Sequence, residues 1–218
     1  MKPGGAAPPA FCMARREDAG MENESRRLSI SFNAPVILIF MLICVVAQAL
    51  NHLTGGTTNR LIFSVYRSSL TSPMTYVRCV CHIFGHMDWE HLINNMMYLL
   101  LLGPMLEEKY GSANIVFIML TTAIVTAVVN MAFFPNVMLM GASGVVFAMI
   151  LLSSITSTDE GAIPITFIIV ALLYLGKQVY QGIFVEDNVS QLGHIIGGVV
   201  GSVTGFAMNR LKMNRYKR

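Results

Sequence analysis

Six apolar stretches, joined mostly by short polar connections, run through the sequence from residue 34 onwards. A helix needs about 20 mainly apolar residues to cross a bilayer, and several of these stretches are shorter. The chain is nevertheless 54% hydrophobic and only 12% charged, against roughly 25% charged in a typical soluble domain. The pattern predicts an all-α membrane protein, a compact bundle of six transmembrane helices over Ala34–Leu50, His91–Leu106, Ala113–Phe134, Gly141–Ile155, Ala162–Gly176 and Leu192–Met208.

The polar segments predict how the chain is divided and oriented. We expect a flexible tail over residues 1–30, a membrane domain over 31–210 and a basic tail over 211–218. Basic residues precede the first apolar stretch and follow the last, so the positive-inside rule puts both ends in the cytoplasm. With a net charge of only +3, these short clusters are typical orientation signals and indicate no nucleic-acid partner. The expected location is a bacterial cytoplasmic membrane, which the chain crosses several times.

The longest connection, residues 54–90, is predicted to be a first extramembrane loop. Loops of this length usually carry structure of their own or serve a function. Within it, the segment RLIFSVYRSSL, residues 60–70, mixes polar and apolar residues in the manner of a helix lying in the membrane interface. We therefore expect an interfacial helix there.

Two kinds of membrane protease are disfavoured by residues that the apolar stretches lack. Their middles contain no Asp or Glu, whereas an intramembrane aspartyl protease needs two carboxylates at depth. The HExxH pattern, which places zinc ligands on one helix face, is also absent. A metal site stays open as an alternative because CVCHIFGHMDWEH supplies Cys81, His82, His86 and His91. We expect neither a metal nor a cofactor.

Four polar residues remain near the ends of the apolar stretches: His91, Asn95, Ser143 and His194. With the N-terminus in the cytoplasm, the second, fourth and sixth stretches all run inwards, so these residues share one level near the outer surface. A serine hydroxyl becomes a nucleophile when a base takes its proton, and His194 is the only histidine in the last four stretches. His91 and Asn95, four residues apart on one helix face, are candidates to stabilise an oxyanion.

Small residues around these positions support a second interpretation. Ser143 lies within the sequence GASG, and Gly197, Gly201 and Gly205 recur at every fourth residue. Small residues at this spacing let membrane helices approach closely. In that case the serine is only a packing residue, with its hydroxyl bonded back to its own helix. The common depth of the four polar residues favours the catalytic interpretation.

Four motifs, in order along the chain, resemble the signatures of the rhomboid intramembrane serine proteases: HIFGHMDWEHLINN, LGPMLEEKYGS, GASG and GHIIGGVVG. The resemblance covers most of the region that holds the six apolar stretches. It implies that Ser143 is the nucleophile and His194 the base, without the acidic third member of the common triad. It also implies an oxyanion hole made by His91, Asn95 and the backbone N–H of Ser143.

The same resemblance assigns further residues. It implies that Gly141 and Phe147 contact the oxyanion or the substrate. Residues that it implies as supports of the fold are Arg78, His82, His86, Glu107, Gly197 and Gly201. Two positions depart from the family pattern: Val77 stands where a tryptophan is usual, and Phe147 where a tyrosine is usual. The Phe147 ring could stack on the base but lacks the hydroxyl.

The resemblance implies that the protein cleaves single-span membrane proteins within the lipid bilayer, near the outer end of their span. The alternative is a non-catalytic relative that uses the same cavity to bind or sort client helices. Inactive relatives typically lack the serine or the histidine, and this chain keeps both Ser143 and His194. A small transporter is disfavoured because the polar residues cluster on one side of the membrane.

Overall fold

The computed structural model describes residues 33–155, 165–184 and 195–205 together with residue 207. This part of the chain is helical apart from turns and one antiparallel bridge between Val65 and Leu139. The helices are α1 Pro35–Leu53, α2 Thr57–Leu61, α3 Pro73–Cys81, α4 Trp89–Tyr110, α5 Ser112–Phe133, α6 Ser143–Ile155, α7 Ile165–Phe184 and α8 Ile195–Gly205, with a 3-10 turn at His82–Phe84. The predicted tails, residues 1–30 and 211–218, lie outside the described residues.

A helical segment lies on each of the six apolar stretches. Among the described helices, α1 and α5 are long and apolar enough to cross a bilayer. The helical stretches Ser143–Ser154 and Ile195–Gly205 are apolar but shorter. The prediction of an all-α chain is therefore confirmed for the described residues, and the count of six spans stays a prediction.

The start of α1 is held by a residue from another helix. Pro35 suits the first helical position because its missing N–H would have no partner there. The carboxylate of Glu107, near the end of α4, accepts the N–H groups of Val36 and Ile37 at 3.0 Å each. The Ser112 hydroxyl donates to the same carboxylate at 2.7 Å. Glu107 thus joins the start of α1, the end of α4 and the start of α5.

Both ends of α4 are set by local sequence, and its middle by close packing. The helix begins after Asp88, whose side chain accepts the N–H of His91 at 2.7 Å. It ends at Tyr110, and the next residue, Gly111, has a φ of +85° that turns the chain directly into α5. In between, a methyl group on Gly103 would lie 2.7 Å from the Ile37 side chain, so α1 and α4 touch closely at this glycine.

The core lies between α1, α4, α5 and α6. Its largest fully buried apolar side chains are Ile37, Leu92, Leu99, Leu106, Ile115, Ile118, Val145, Met149 and Leu152. The outer faces of α1 and α5 carry exposed apolar residues such as Leu42 and Phe117, at 61% and 54% exposure. Such apolar faces are suited to contact with lipid. In lipid, burial of apolar surface contributes little to helix association, so close packing and polar bonds hold the helices together.

The expected interfacial helix over residues 60–70 is wrong. The helix α2 ends at Leu61. Val65 instead forms both backbone hydrogen bonds of the bridge to Leu139, each 2.9 Å long. Arg67 donates to two carbonyls in the last turn of α5 at 2.8 Å each. These long-range bonds satisfy carbonyls that the end of a helix otherwise leaves unpaired, and they override the local polarity pattern.

Candidate active site

His91, Gly141 and Ser143 come together at the starts of α4 and α6. A methyl group on Gly141 would lie 3.0 Å from Cε1 of His91 and 3.7 Å from the Ser143 hydroxyl oxygen. Gly141 also has φ +129°, and its N–H donates to the carbonyl of His82 at 2.9 Å. Glycine is needed here because this backbone conformation suits no other residue well and because a side chain would press against His91.

The first turn of α6 offers backbone donors beside the serine. The bond from the N–H of Val146 to the carbonyl of Ala142, at 2.9 Å, is the first of the helical ladder. The N–H groups of Ser143, Gly144 and Val145 come before it and have no intrahelical acceptor. Together with the partial positive charge at a helix N-terminus, they favour a negative oxygen close to the Ser143 side chain.

Asn95 adds a side-chain donor one turn after His91 on α4. Its side chain is 6% exposed, and its Nδ2 has no hydrogen-bond acceptor among the described residues. Leaving a buried polar group unpaired costs about 1–3 kcal/mol. An acceptor that arrives with a bound molecule would remove this cost.

His82 and His86 pack behind the site. The His86 ring lies 5.2 Å from the His91 ring, centroid to centroid, in an edge-to-face arrangement, and its Nδ1 donates to the Phe84 carbonyl at 3.2 Å. The Nε2 of His82 donates to the Ala123 carbonyl of α5 at 3.0 Å. Burial is the main cause that lowers the pKa of each ring to about 4, and repulsion from His91 adds to it at His86. Both rings are therefore neutral at pH 7.

The other residues expected from the sequence lie on α3, α4 and α6. The buried guanidinium of Arg78 stacks over Tyr66, with its carbon 4.5 Å from the ring centroid. Its Nε and Nη1 have no hydrogen-bond acceptor in the described part of the chain. Val77 is exposed, and Phe147 is half-buried in the second turn of α6. Glu107 lies near the other end of α4, about 24 Å along the helix from His91, and takes no direct part in the site.

Small residues bring α6 and α8 into direct contact. A methyl group on Gly197 would lie 2.6 Å from the Cα of Gly144, and one on Gly201 would lie 2.7 Å from the Cβ of Ala148. Both pairs are 53 positions apart in the sequence, so the two helices run parallel in a single register. His194, the expected base, precedes Gly197 by three positions and lies outside the described residues.

The metal alternative gains no support from the described histidines and cysteines. Within the described residues, no three His, Cys, Asp or Glu side chains form a group that could hold a metal ion. His82 and His86 each donate to a backbone carbonyl instead. Burial raises the pKa of the Cys79 and Cys81 thiols, which disfavours the thiolate that a metal needs.

One residue near the site, Asn59 in α2, was missed by the sequence analysis. Its Nδ2 donates to the His86 carbonyl at 2.7 Å and contacts the sulfur of Met140 at 3.5 Å. Its own N–H donates to Oδ1 of Asn51 at 3.1 Å. Asn59 thus ties the first loop to the segments that precede both His91 and Ser143. No local pattern marks it, since its side-chain partners are 27 and 81 positions away.

Comparison with known proteins identifies the family of the chain. The Rhomboid domain family matches residues 73–211, more than half of the chain. The rhomboid protease GluP of Bacillus subtilis (strain 168) is 27% identical over 195 residues, which cover 86% of this chain and 36% of GluP. Rhomboid-related protein 2 of Mus musculus is 26% identical over 159 residues, 64% of this chain and 53% of the mouse protein. The rhomboid protease GlpG of Salmonella typhi is 29% identical over 115 residues, 53% of this chain and 41% of GlpG.

The chain spans 36–53% of the length of these three relatives. The matched region begins at α3 and includes every position singled out for catalysis from the sequence. The resemblance inferred from the four motifs is thus confirmed at the level of the family. With the apolar helices α1 and α5 in addition, the chain belongs to the rhomboid domain family of helical integral membrane proteins.

Proposed function

We propose that the protein is an intramembrane serine protease that hydrolyses peptide bonds in or next to the transmembrane segment of single-span membrane proteins. The observation that carries the proposal is the meeting of Ser143 and His91 at the start of α6, one turn from the buried amide of Asn95, which has no acceptor among the described residues. A hydroxyl, free backbone N–H groups and side-chain donors are the parts that acyl transfer needs. The proteases named among the relatives support the same reaction class.

His194 is proposed as the general base. The contacts of Gly197 with Gly144 and of Gly201 with Ala148 support this role, because they bring α8 against the helix that begins at Ser143, and His194 directly precedes α8 in the sequence. Gly141 is the residue that adjoins both His91 and the Ser143 hydroxyl.

In the proposed reaction, the Ser143 oxygen attacks the scissile carbonyl carbon while His194 takes the hydroxyl proton. The carbonyl oxygen becomes negative and accepts hydrogen bonds from the Ser143 N–H, Asn95 and His91. His194 then gives the proton to the leaving amine, and the carbon–nitrogen bond breaks. Water, activated by the same histidine, hydrolyses the acyl-enzyme and restores the serine. Phe147 and Gly141 line the substrate side.

The proposed arrangement in the membrane has α1, α4, α5, α6, α7 and α8 crossing the bilayer within a domain of residues 31–210. Both chain ends then lie in the cytoplasm of a bacterial cell, and α2 and α3 lie outside with the site. Ser143 is the first residue of α6, so it lies within one helical turn, about 5 Å, of the loop that precedes it. Water needed for hydrolysis would reach it from that side.

The experiment compares wild type, Ser143→Ala and the matched control Ser153→Ala in lipid vesicles. Ser153 is on the same helix, and its hydroxyl donates to its own helix at the Ile150 carbonyl, 2.7 Å away. Each protein is given a panel of single-span substrates and a fluorophosphonate probe. We expect wild type and Ser153→Ala to cleave substrate and take up the probe, and Ser143→Ala to do neither.

Folded wild-type protein that neither cleaves nor reacts with the probe would refute the protease proposal. If it then still bound client helices, and Ser143→Ala bound them equally well, the non-catalytic function would be the better account. His194→Ala extends the test, because loss of labelling in a folded variant is expected only if this histidine activates the serine.

A further inference from the structure

A cavity of about 460 Å³ opens beside the candidate site, at the outer end of α1. Its walls come from the α1–α2 turn, from α2, and from the segments just before α4 and α6. The residues that matter for its chemistry are Asn51, Thr57, Arg60, Met87, Met138 and Met140. Nothing in the proposed reaction uses this cavity.

The cavity shares a wall with the site. Met87 directly follows His86, whose ring packs on His91, and Met140 directly precedes Gly141. Asn59, which also lines the cavity, joins these two segments through its bonds to the His86 carbonyl and the Met140 sulfur. A peptide with its scissile bond at Ser143 would therefore have residues a short distance away that can enter the cavity.

The lining of the cavity is suited to a particular side chain. Arg60 is its single charged residue, is exposed, and forms no ion pair within the described residues. Thr57 and Asn51 add polar groups on the same side, whereas three methionines supply an apolar, adaptable surface. A glutamate combines an apolar stem, which the methionines can cover, with a carboxylate that Arg60 can pair with.

We propose that this cavity is a subsite that selects a glutamate side chain within a few residues of the cleaved bond, with Arg60 as the residue that determines the preference. The inference rests on the proposed protease function and names part of its substrate class. The preference is modest because an exposed ion pair contributes little, and we expect about a fivefold higher kcat/KM for Glu than for Gln.

The test places Glu, Gln, Lys or Leu, one position at a time, within six residues on either side of the cut in an otherwise uncharged single-span substrate. Wild type should prefer Glu to Gln about fivefold at one position or at two neighbouring positions. Arg60→Gln should bring this ratio close to one, and Arg60→Glu should prefer Lys at the same position. Arg67→Gln is the matched control: it removes the same charge from the same loop, but its bonds are to α5, so the ratio should persist.

The outcomes separate this inference from the proposed function. Cleavage of the uncharged parent substrate by wild type and not by Ser143→Ala supports the protease function, and this result does not depend on whether the cavity selects glutamate. The subsite proposal is overturned if no position prefers Glu, if the preference survives in Arg60→Gln, or if Leu is the preferred residue in wild type and Arg60→Gln alike. Absence of cleavage of every substrate would remove both proposals.

Discussion

The carboxylate of Glu107 is predicted to be the strongest single polar support of the helix bundle. It accepts two backbone N–H groups at the start of α1 and one hydroxyl, from Ser112, at the start of α5. Its side chain is only 3% exposed, so water cannot easily replace it. Hydrogen bonds to a charged group contribute about 1.5–3 kcal/mol each. Glu107→Ala leaves the partly buried N–H of Val36 and the buried N–H of Ile37 without this acceptor. We expect a loss of about 3–5 kcal/mol in the free energy of unfolding.

Two further variants sharpen this prediction. Glu107→Gln keeps one acceptor oxygen but turns an NH2 group towards the second backbone N–H, and it should cost about 2 kcal/mol. Glu108→Ala is the matched control, because Glu108 is the next residue, is exposed, and should change stability by less than about 0.5 kcal/mol.

Unfolding in mixed micelles of increasing SDS content measures these differences. The single tryptophan, Trp89, reports on the start of α4, and far-UV circular dichroism reports on the helices. The reasoning is refuted if Glu107→Ala and Glu108→Ala unfold within about 0.5 kcal/mol of each other. An effect at Glu107 that is equally large in Glu107→Gln would mean that charge, and not the number of acceptors, carries the support.

Asn95, Gly201 and the two buried histidines each give a further prediction. Asn95→Ala should lower kcat about 100-fold with serine labelling retained, whereas Asn94→Ala, an exposed neighbour, should leave kcat unchanged in a cleavage assay. Gly201→Val should lower the free energy of unfolding by more than about 2 kcal/mol, because its side chain would overlap α6. In the folded protein the pKa of His82 and of His86 is about 4, whereas in the unfolded chain it is near 6.5. Protons therefore favour the unfolded state as the pH falls, and the free energy of unfolding should decrease by about 2 kcal/mol per ring between pH 7.5 and 5.0. Unfolding experiments at a series of pH values measure this decrease.

The helices could be predicted from the sequence because their signals are local. Apolar stretches, the Asp88 cap and Gly111 at the end of α4 each act within a few residues of their own position. The path of residues 60–70 could not be predicted in this way. Val65 is fixed by Leu139, and Arg67 by the end of α5, partners that are more than 60 positions away.

The same distinction applies to the site. Ser143, His91 and Asn95 were identified from the sequence because the predicted orientation in the membrane gives them a common depth. The structure brings Ser143 and His91 together around Gly141. Depth gives no information about which loop residues hold them. Asn59 carries no local signal, and its role follows only from the fold that brings α2 against two distant segments.

The first loop contributes no reacting group to the proposed mechanism, yet it fixes the segment that leads into Ser143. The His82 carbonyl accepts the Gly141 N–H, and Val65 pairs with Leu139 two positions earlier. In lipid, apolar burial contributes little to holding helices in one exact register. Hydrogen bonds of this kind therefore determine the register. Because catalytic groups must be held to within about 0.5 Å, changes at the loop residues that hold Leu139 and Gly141 should lower kcat although these residues do not touch the substrate. In the proposed protease, the first loop therefore contributes to catalysis through the positions that it imposes on α4 and α6.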